Sequence, residues 1–147
     1  MSRQQGQQKP QRQVRESNIN CALLLVVDRH SKKFVSVYKY ENSYDIPGGK
    51  CKVYQDVDEN FEDCAIRELF EETGLKVQKD KMFKILDAFD GHYRVVTYVT
   101  YNYSGNFYTL ENHKIGWVPL EYLKINANQG WKKYNTIVYD RMMMKLY

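Results

Sequence analysis

A chain of 147 residues, 43% of them hydrophobic, fits one domain built round one sizeable core. Its longest wholly apolar run, Ala22 to Val27, is far too short to cross a bilayer, and its N-terminus is polar rather than a signal peptide. A membrane span is thereby excluded, and a soluble cytoplasmic protein is expected.

The net charge of +4 has a location. Arg3, Lys9, Arg12 and Arg15 fall in the first 15 residues, where there is no acid, so the rest of the chain is neutral. Six glutamines, one glycine and one proline share that stretch, and no apolar periodicity precedes Asn18. Residues 1–17 are therefore expected to be a disordered, basic, Gln-rich tail, with a single domain over 18–147. A solubilising terminus is the favoured reading, and weak salt-dependent contact with RNA is the alternative.

Asn20 to Val27 and Phe34 to Lys39 read as strands joined by the polar turn Asp28 to Lys33. Tyr44-Asp45-Ile46-Pro47-Gly48-Gly49-Lys50 follows as a turn, whose paired glycines let backbone groups approach an ion or phosphate closely. The spacing of Phe61, Ala65 and Leu69 predicts a helix from about Phe61 to Glu72 or Thr73. Asn60 with Asp63 resembles a capping box at its start, and Gly74 supplies a left-handed stop.

Within this helix Glu68, Glu71 and Glu72 stand three and four residues apart and project near one another. Like charges at that spacing cost about 0.2–0.5 kcal/mol per pair, and the helix C-terminus disfavours acids further. A solvated acidic face, with Arg67 pairing a neighbour, would account for these residues alone. The two-glycine turn beside them points instead to a site for a hard divalent cation such as Mg2+ or Mn2+.

Together these residues resemble the Nudix hydrolase family. The family pattern is Gly, five residues, Glu, seven residues, Arg-Glu, an aliphatic residue, any residue, Glu-Glu, any residue, Gly and an aliphatic residue. Glu59, Arg67, Glu68, Leu69, Glu71, Glu72, Gly74 and Leu75 all match. One departure is the nine residues, Lys50 to Asp58, that separate Gly49 from Glu59 where the pattern has five. A longer surface loop costs little closure entropy, so the fold expectation stands.

The resemblance implies an α/β fold, an α/β/α sandwich with a mixed sheet, and divalent-metal-dependent hydrolysis of a pyrophosphate linkage. The substrate class is a nucleoside diphosphate joined to another group, such as a nucleoside triphosphate, a dinucleoside polyphosphate or a nucleotide sugar. Glu68, Glu71 and Glu72 would hold Mg2+ or Mn2+, helped by a carbonyl at Gly48 or Gly49. Arg67 would pair with Glu59 or another carboxylate and fix the helix to the glycine turn. Glu72, Glu71 and Glu111 are the candidates for general base; Glu111 is favoured, because a metal-bound carboxylate is poorly placed to accept a proton. Lys39, Lys50 and Arg94 are candidate phosphate contacts, and Tyr44, Tyr54 and Tyr98 candidate platforms for a base.

Beyond the box, Met82 to Ala88 and His92 to Tyr103 read as strands, the second covered on both faces. Tyr134, Ile137, Val138 and Met142 fall on one helical face with Lys132, Lys133, Asn135, Asp140 and Arg141 opposite, which predicts an amphipathic helix packed on the sheet. Cys21, Cys51 and Cys64 are odd in number without a Cys-x-x-Cys pair, so neither a disulfide framework nor a zinc ribbon is expected. Cys21 and Cys64 read as small core residues, and Cys51 falls in the lengthened loop. His30, His92 and His113 show no metal-ligand spacing.

Two rivals remain at this level. Asp63 to Glu68 followed by Glu71 to Gly74 is also similar to Nudix enzymes that remove RNA caps, which a basic tail would suit. A catalytically inactive nucleotide-binding module is the other, although such proteins usually lack one of the acids retained here.

Overall fold

Strand β1 (Ile19–Asp28) organises the molecule by the period-2 rule for strands. Cys21, Leu23, Leu25 and Val27 enter one core and Ala22, Leu24 and Val26 the other, all of them buried. At about 1.5–3 kcal/mol for each large aliphatic side chain, this strand is a main source of the folding free energy. These positions come from a computed structural model that describes residues 19–38, 40–108 and 113–147, with Asp90 by its backbone alone. The tail 1–17 and the site candidates Lys39 and Glu111 lie outside the described residues.

The other strands are β2 (Lys33–Tyr38), β3 (Gly48–Lys50), β4 (Val53–Tyr54), β5 (Val57–Asp58), β6 (Met82–Asp90), β7 (Tyr93–Thr100) and β8 (Lys114–Pro119). The main sheet runs β6-β7-β1-β2-β8. Among the described strands only β1 and β7 are parallel, from Ile19 beside Tyr93 to Val26 beside Thr100, so the sheet is mixed. On its other edge β1 changes partner. Cys21, Ala22 and Leu23 pair with Lys50, Gly49 and Gly48 of β3, whereas Val27 and Asp28 pair with Phe34 and Lys33 of β2.

Helix α1 (Phe61–Thr73) covers the Ala22 face through Cys64, Ala65 and Leu69, and helix α2 (Gln129–Leu146) covers the Leu23 face through Val138 and Met142. The expected α/β/α sandwich is the observed fold. Asn60 caps α1 by accepting from the amides of Glu62 (2.8 Å) and Asp63 (3.3 Å). The Asp63 carboxylate reaches Lys79 at 2.7 Å. Gly74 ends the helix with φ 82°, its N–H donating to Phe70 O. Tyr134 anchors α2: its hydroxyl meets Thr97 Oγ1 at 2.7 Å and Val95 O at 3.3 Å.

Two expectations need correction. The buried face of α2 carries Asn135 with Val138 and Met142, while Ile137 is exposed. Asn135 and Ile137 both fall within reach of one helical period, and apolarity alone chose the wrong one. Cys51 and Cys64 form a disulfide with Cα atoms 5.3 Å apart, a pairing that depends on the loop folding back onto α1 and that sequence spacing does not reveal. That loop is itself ordered: β4 and β5 form a hairpin turning at Gln55 and Asp56, whose φ values of 50° and 64° fit a two-residue primed turn.

Gly74 also has no room for a side chain, since a Cβ would lie 2.7 Å from Asn106 O. Gly74→Ala should destabilise the fold by about 1–3 kcal/mol, read as a lower midpoint in urea unfolding.

Candidate active site

Arg67 is the hub of the acidic cluster. Its Nε and Nη2 donate to Glu59 Oε2 and Oε1 at 2.9 and 2.8 Å, a forked pair. Nη1 donates to Glu68 Oε2 (2.9 Å) and Glu71 Oε1 (3.0 Å), and Nη2 reaches Lys50 O at 3.3 Å. One guanidinium therefore joins the end of β3, the residue before the α1 cap and two acids of α1. These bonds hold the Glu59 carboxyl below its ordinary pKa and raise that of Arg67.

Glu72 points to the glycine turn, where its Oε1 accepts the Gly48 N–H at 2.7 Å. Both glycines are required by packing. A Cβ on Gly48 would collide with Leu23 and the Ala22 carbonyl, and one on Gly49 would lie 2.5 Å from Glu68 Oε1. The backbone of β3 and the carboxylates of α1 thus face each other at closest approach.

Among the described residues of this cluster four carboxylates face one guanidinium, and Glu72 lies against the Gly48 backbone. That donor set fits a hard divalent cation: Glu68, Glu71 and Glu72 with Gly48 or Gly49 are the residues that would hold it. Cys51, Glu59 and Cys64 also gather ligand atoms within 4.8 Å. Their sulfurs are bonded to each other and Arg67 holds both Glu59 oxygens, so that trio does not argue for a metal.

Beside the glycines opens a cleft of about 840 Å³. Gly48, Gly49, Glu72 and His113 border it towards α1, and Asp45, Asn126, Asn128, Trp131 and Asn135 border it towards α2. It lies where β1 exchanges β3 for β2, so the splayed strands form its walls. Asp45 keeps solvent contact, yet surrounding protein atoms desolvate its carboxyl and raise its pKa, against the opposing hydrogen bond from Asn126 Nδ2 at 2.8 Å. His113 Nε2 lies 3.3 Å from Glu72 O.

The structure separates the remaining candidates from this cleft. Tyr44 packs between Tyr38 and Tyr122, at 5.1 and 4.9 Å between ring centroids. Tyr98 is buried in the α1-side core, and Tyr54 is exposed on the β4–β5 hairpin. Arg94 is bound by Asp87 at 2.8 and 3.1 Å and stacks over Phe61. Lys50 lines a neighbouring cavity that shares Gly49, Asn128 and Trp131 with the main cleft. None of the tyrosines proposed as platforms lines the cleft; Trp131 does. Trp131 and Asn135 carried no motif, and only the correct helical phase of α2 would have exposed them, while Asn126 and Asn128 lie in the segment before the helix.

The NUDIX domain model matches residues 15–139 of this chain. The chain belongs to the Nudix family. Its enzyme class is that of a Nudix pyrophosphohydrolase, and the box acids are complete. Solved structures similar in fold include MutT from a study of the Aliivibrio salmonicida and Vibrio cholerae proteins, at 16% identity and TM-score 0.68, covering 84% of this chain and 98% of that one. The mutator MutT protein of Bacillus halodurans is 20% identical at TM-score 0.64, covering 82% of each chain. The MutT Nudix hydrolase of Burkholderia pseudomallei is 19% identical at TM-score 0.62, covering 84% and 97%. No curated protein sequence gives a match.

Because folding lowers the Glu59 pKa, the unfolded chain takes up that proton first. The resulting stability is complete above the ordinary value of 4.5 and is lost as pH falls through the lower folded value. Glu59→Gln should cost about 1.5–3 kcal/mol at pH 7 and flatten the acid limb of stability, checked by urea unfolding at pH 7 and pH 3.5. Cys51→Ser should remove up to about 3 kcal/mol of loop-closure stabilisation, read as a lower melting temperature that reductant no longer shifts.

Proposed function

We propose that this Nudix enzyme uses water to cleave the pyrophosphate linkage of a nucleoside diphosphate joined to another group, in a reaction dependent on Mg2+ or Mn2+. The observation that carries the reading is the carboxylate array of α1 facing the Gly48–Gly49 backbone at the border of a nucleotide-sized cleft. A divalent cation bound there would supply a water of lowered pKa and neutralise charge on the bridging phosphates.

The protein groups divide the remaining work. Arg67 keeps Glu68 and Glu71 in register by bonds of 2.9 and 3.0 Å, which offsets their mutual repulsion before substrate arrives. Glu72 fixes the distance between α1 and β3 through Gly48. With Glu68, Glu71 and Glu72 assigned to the metal, Glu111 is the proposed general base. Support comes from both flanks of its segment: Tyr108 N donates to Thr73 O at 2.7 Å, and His113 Nε2 meets Glu72 O. The Tyr108 and His113 contacts both fall at the C-terminal turn of α1, one residue or less from Glu72. The neutral charge balance beyond the first 15 residues favours a small nucleotide over a long RNA chain.

Incubating the purified protein with a panel of nucleotides in Mg2+, with products identified by mass, tests the reading. Glu72→Gln should lower kcat by about a hundredfold or more, and chelation should abolish turnover until Mg2+ is restored. Glu111→Gln should also lower kcat and remove the acidic limb of its pH profile. Full activity in both variants would refute the assignment.

A further inference from the structure

A disulfide that serves stability alone gains most by closing a long loop between distant parts of a chain. The Cys51–Cys64 bond spans only 13 positions. A chain of 147 residues with two buried cores and a helix over each has burial enough without a staple. What the bond joins is the two halves of the acidic site. Cys51 follows directly on β3, where its N–H donates to Asn20 O at 2.8 Å, and Cys64 stands on α1 one turn before Glu68. Cys64 Sγ lies 3.8 Å from Gly49 O. Among the described residues this is the only covalent tie between the glycine turn and the acids. Beside it stand hydrogen bonds, from Gly48 N to Glu72 at 2.7 Å and from Arg67 to Lys50 O at 3.3 Å.

The two sulfurs differ in access. Cys64 is fully buried in the α1-side core, whereas Cys51 is half-buried in the loop and flanked in sequence by Lys50 and Lys52. A Glu59 oxygen lies within 4.8 Å of both sulfurs, and its pair with Arg67 offsets that negative charge. An incoming thiolate therefore has Cys51 Sγ as its point of attack. Both redox states have a place in the fold. On reduction the Cys64 thiol finds Gly49 O as its acceptor, and the root of the hairpin stays joined by the bonds between Lys52 and Glu59.

We propose that Cys51 and Cys64 form a redox-controlled latch on the Nudix site, opened by a dithiol and closed by a disulfide oxidant, whose closed form binds the divalent cation more tightly. In opening, one thiolate of the dithiol attacks Cys51 Sγ, the bond to Cys64 breaks, and its electron pair leaves with Cys64, which takes up a proton. The second thiol of the reductant then displaces Cys51, so the protein gains two hydrogens and the reductant becomes a disulfide. Exchange in the opposite direction, with a small-molecule disulfide as oxidant, closes the latch. Opening removes the covalent limit on the separation of β3 and α1, and the glycine turn then keeps its distance from Glu68, Glu71 and Glu72 by hydrogen bonds alone. This inference rests on the pyrophosphohydrolase reading above and adds to it the reaction that raises and lowers the activity of the same site.

The test uses the full chain, oxidised with glutathione disulfide or reduced with dithiothreitol that is then removed without air. Alkylation in urea followed by mass measurement should count one thiol in the first, that of Cys21, and three in the second. Mn2+ binding, followed by electron paramagnetic resonance, should be about tenfold weaker in the reduced chain, and the Mg2+ concentration for half-maximal nucleotide turnover should rise by about the same factor. Reoxidation should restore both. Cys51→Ser and Cys64→Ala should behave like the reduced chain and ignore reductant. Equal Mn2+ binding in the two states, variants that still respond to reductant, a bond that dithiothreitol leaves intact in the folded chain, or one that glutathione disulfide fails to form would each overturn the latch while leaving the hydrolase reading standing. A tenfold difference in Mn2+ binding without turnover of any nucleotide in either state would support the latch and overturn the hydrolase reading.

Discussion

The forked pairing of Arg67 with Glu59 is the contact on which the arrangement of this site depends. Isolated, the acids of α1 repel one another at the end of a helix that already disfavours them. Arg67 converts that repulsion into a lattice, holding Glu59 with two nitrogens and sharing a third between Glu68 and Glu71. Among the described residues of the cluster it is nonetheless one positive charge with four negative ones. The surplus is what a cation would neutralise, and the scaffold keeps it in place without dispersing it.

Geometry around this lattice comes from the sheet. Because β1 gives its first residues to β3 and its last to β2, the two partners diverge. Their divergence opens the cleft next to the glycines, while Leu24 N still bonds to Pro47 O at 2.9 Å and keeps the β3 approach aligned. The same strand supplies both hydrophobic cores. Opening a cleft at its edge therefore costs little burial, since α1 and α2 cover its two faces elsewhere.

Much of this was legible in the chain. The limits of α1 could be read from Asn60 and Gly74 because capping is local chemistry, and the two-faced β1 from an unbroken apolar run. The box acids were legible because their spacing is helical and their company unusual. What escaped was set by tertiary contacts. Helical period could not choose between Asn135 and Ile137, thirteen tyrosines offered no way to tell platform from core, and the Cys51–Cys64 bond required a loop to fold back. The departure from the family spacing was visible as a length but not as a hairpin, because Gln55 and Asp56 adopt positive φ without the glycine that usually announces such a turn.

That hairpin is clamped at its root by the disulfide and by paired bonds between Lys52 and Glu59, with Lys52 N on Glu59 Oε1 and Glu59 N on Lys52 O. Anything lengthened or shortened beyond the clamp changes only the tip. The enzyme thus owns a graftable appendage a few residues from its reactive centre, where new surface can be tried out over generations while the acids behind it stay still.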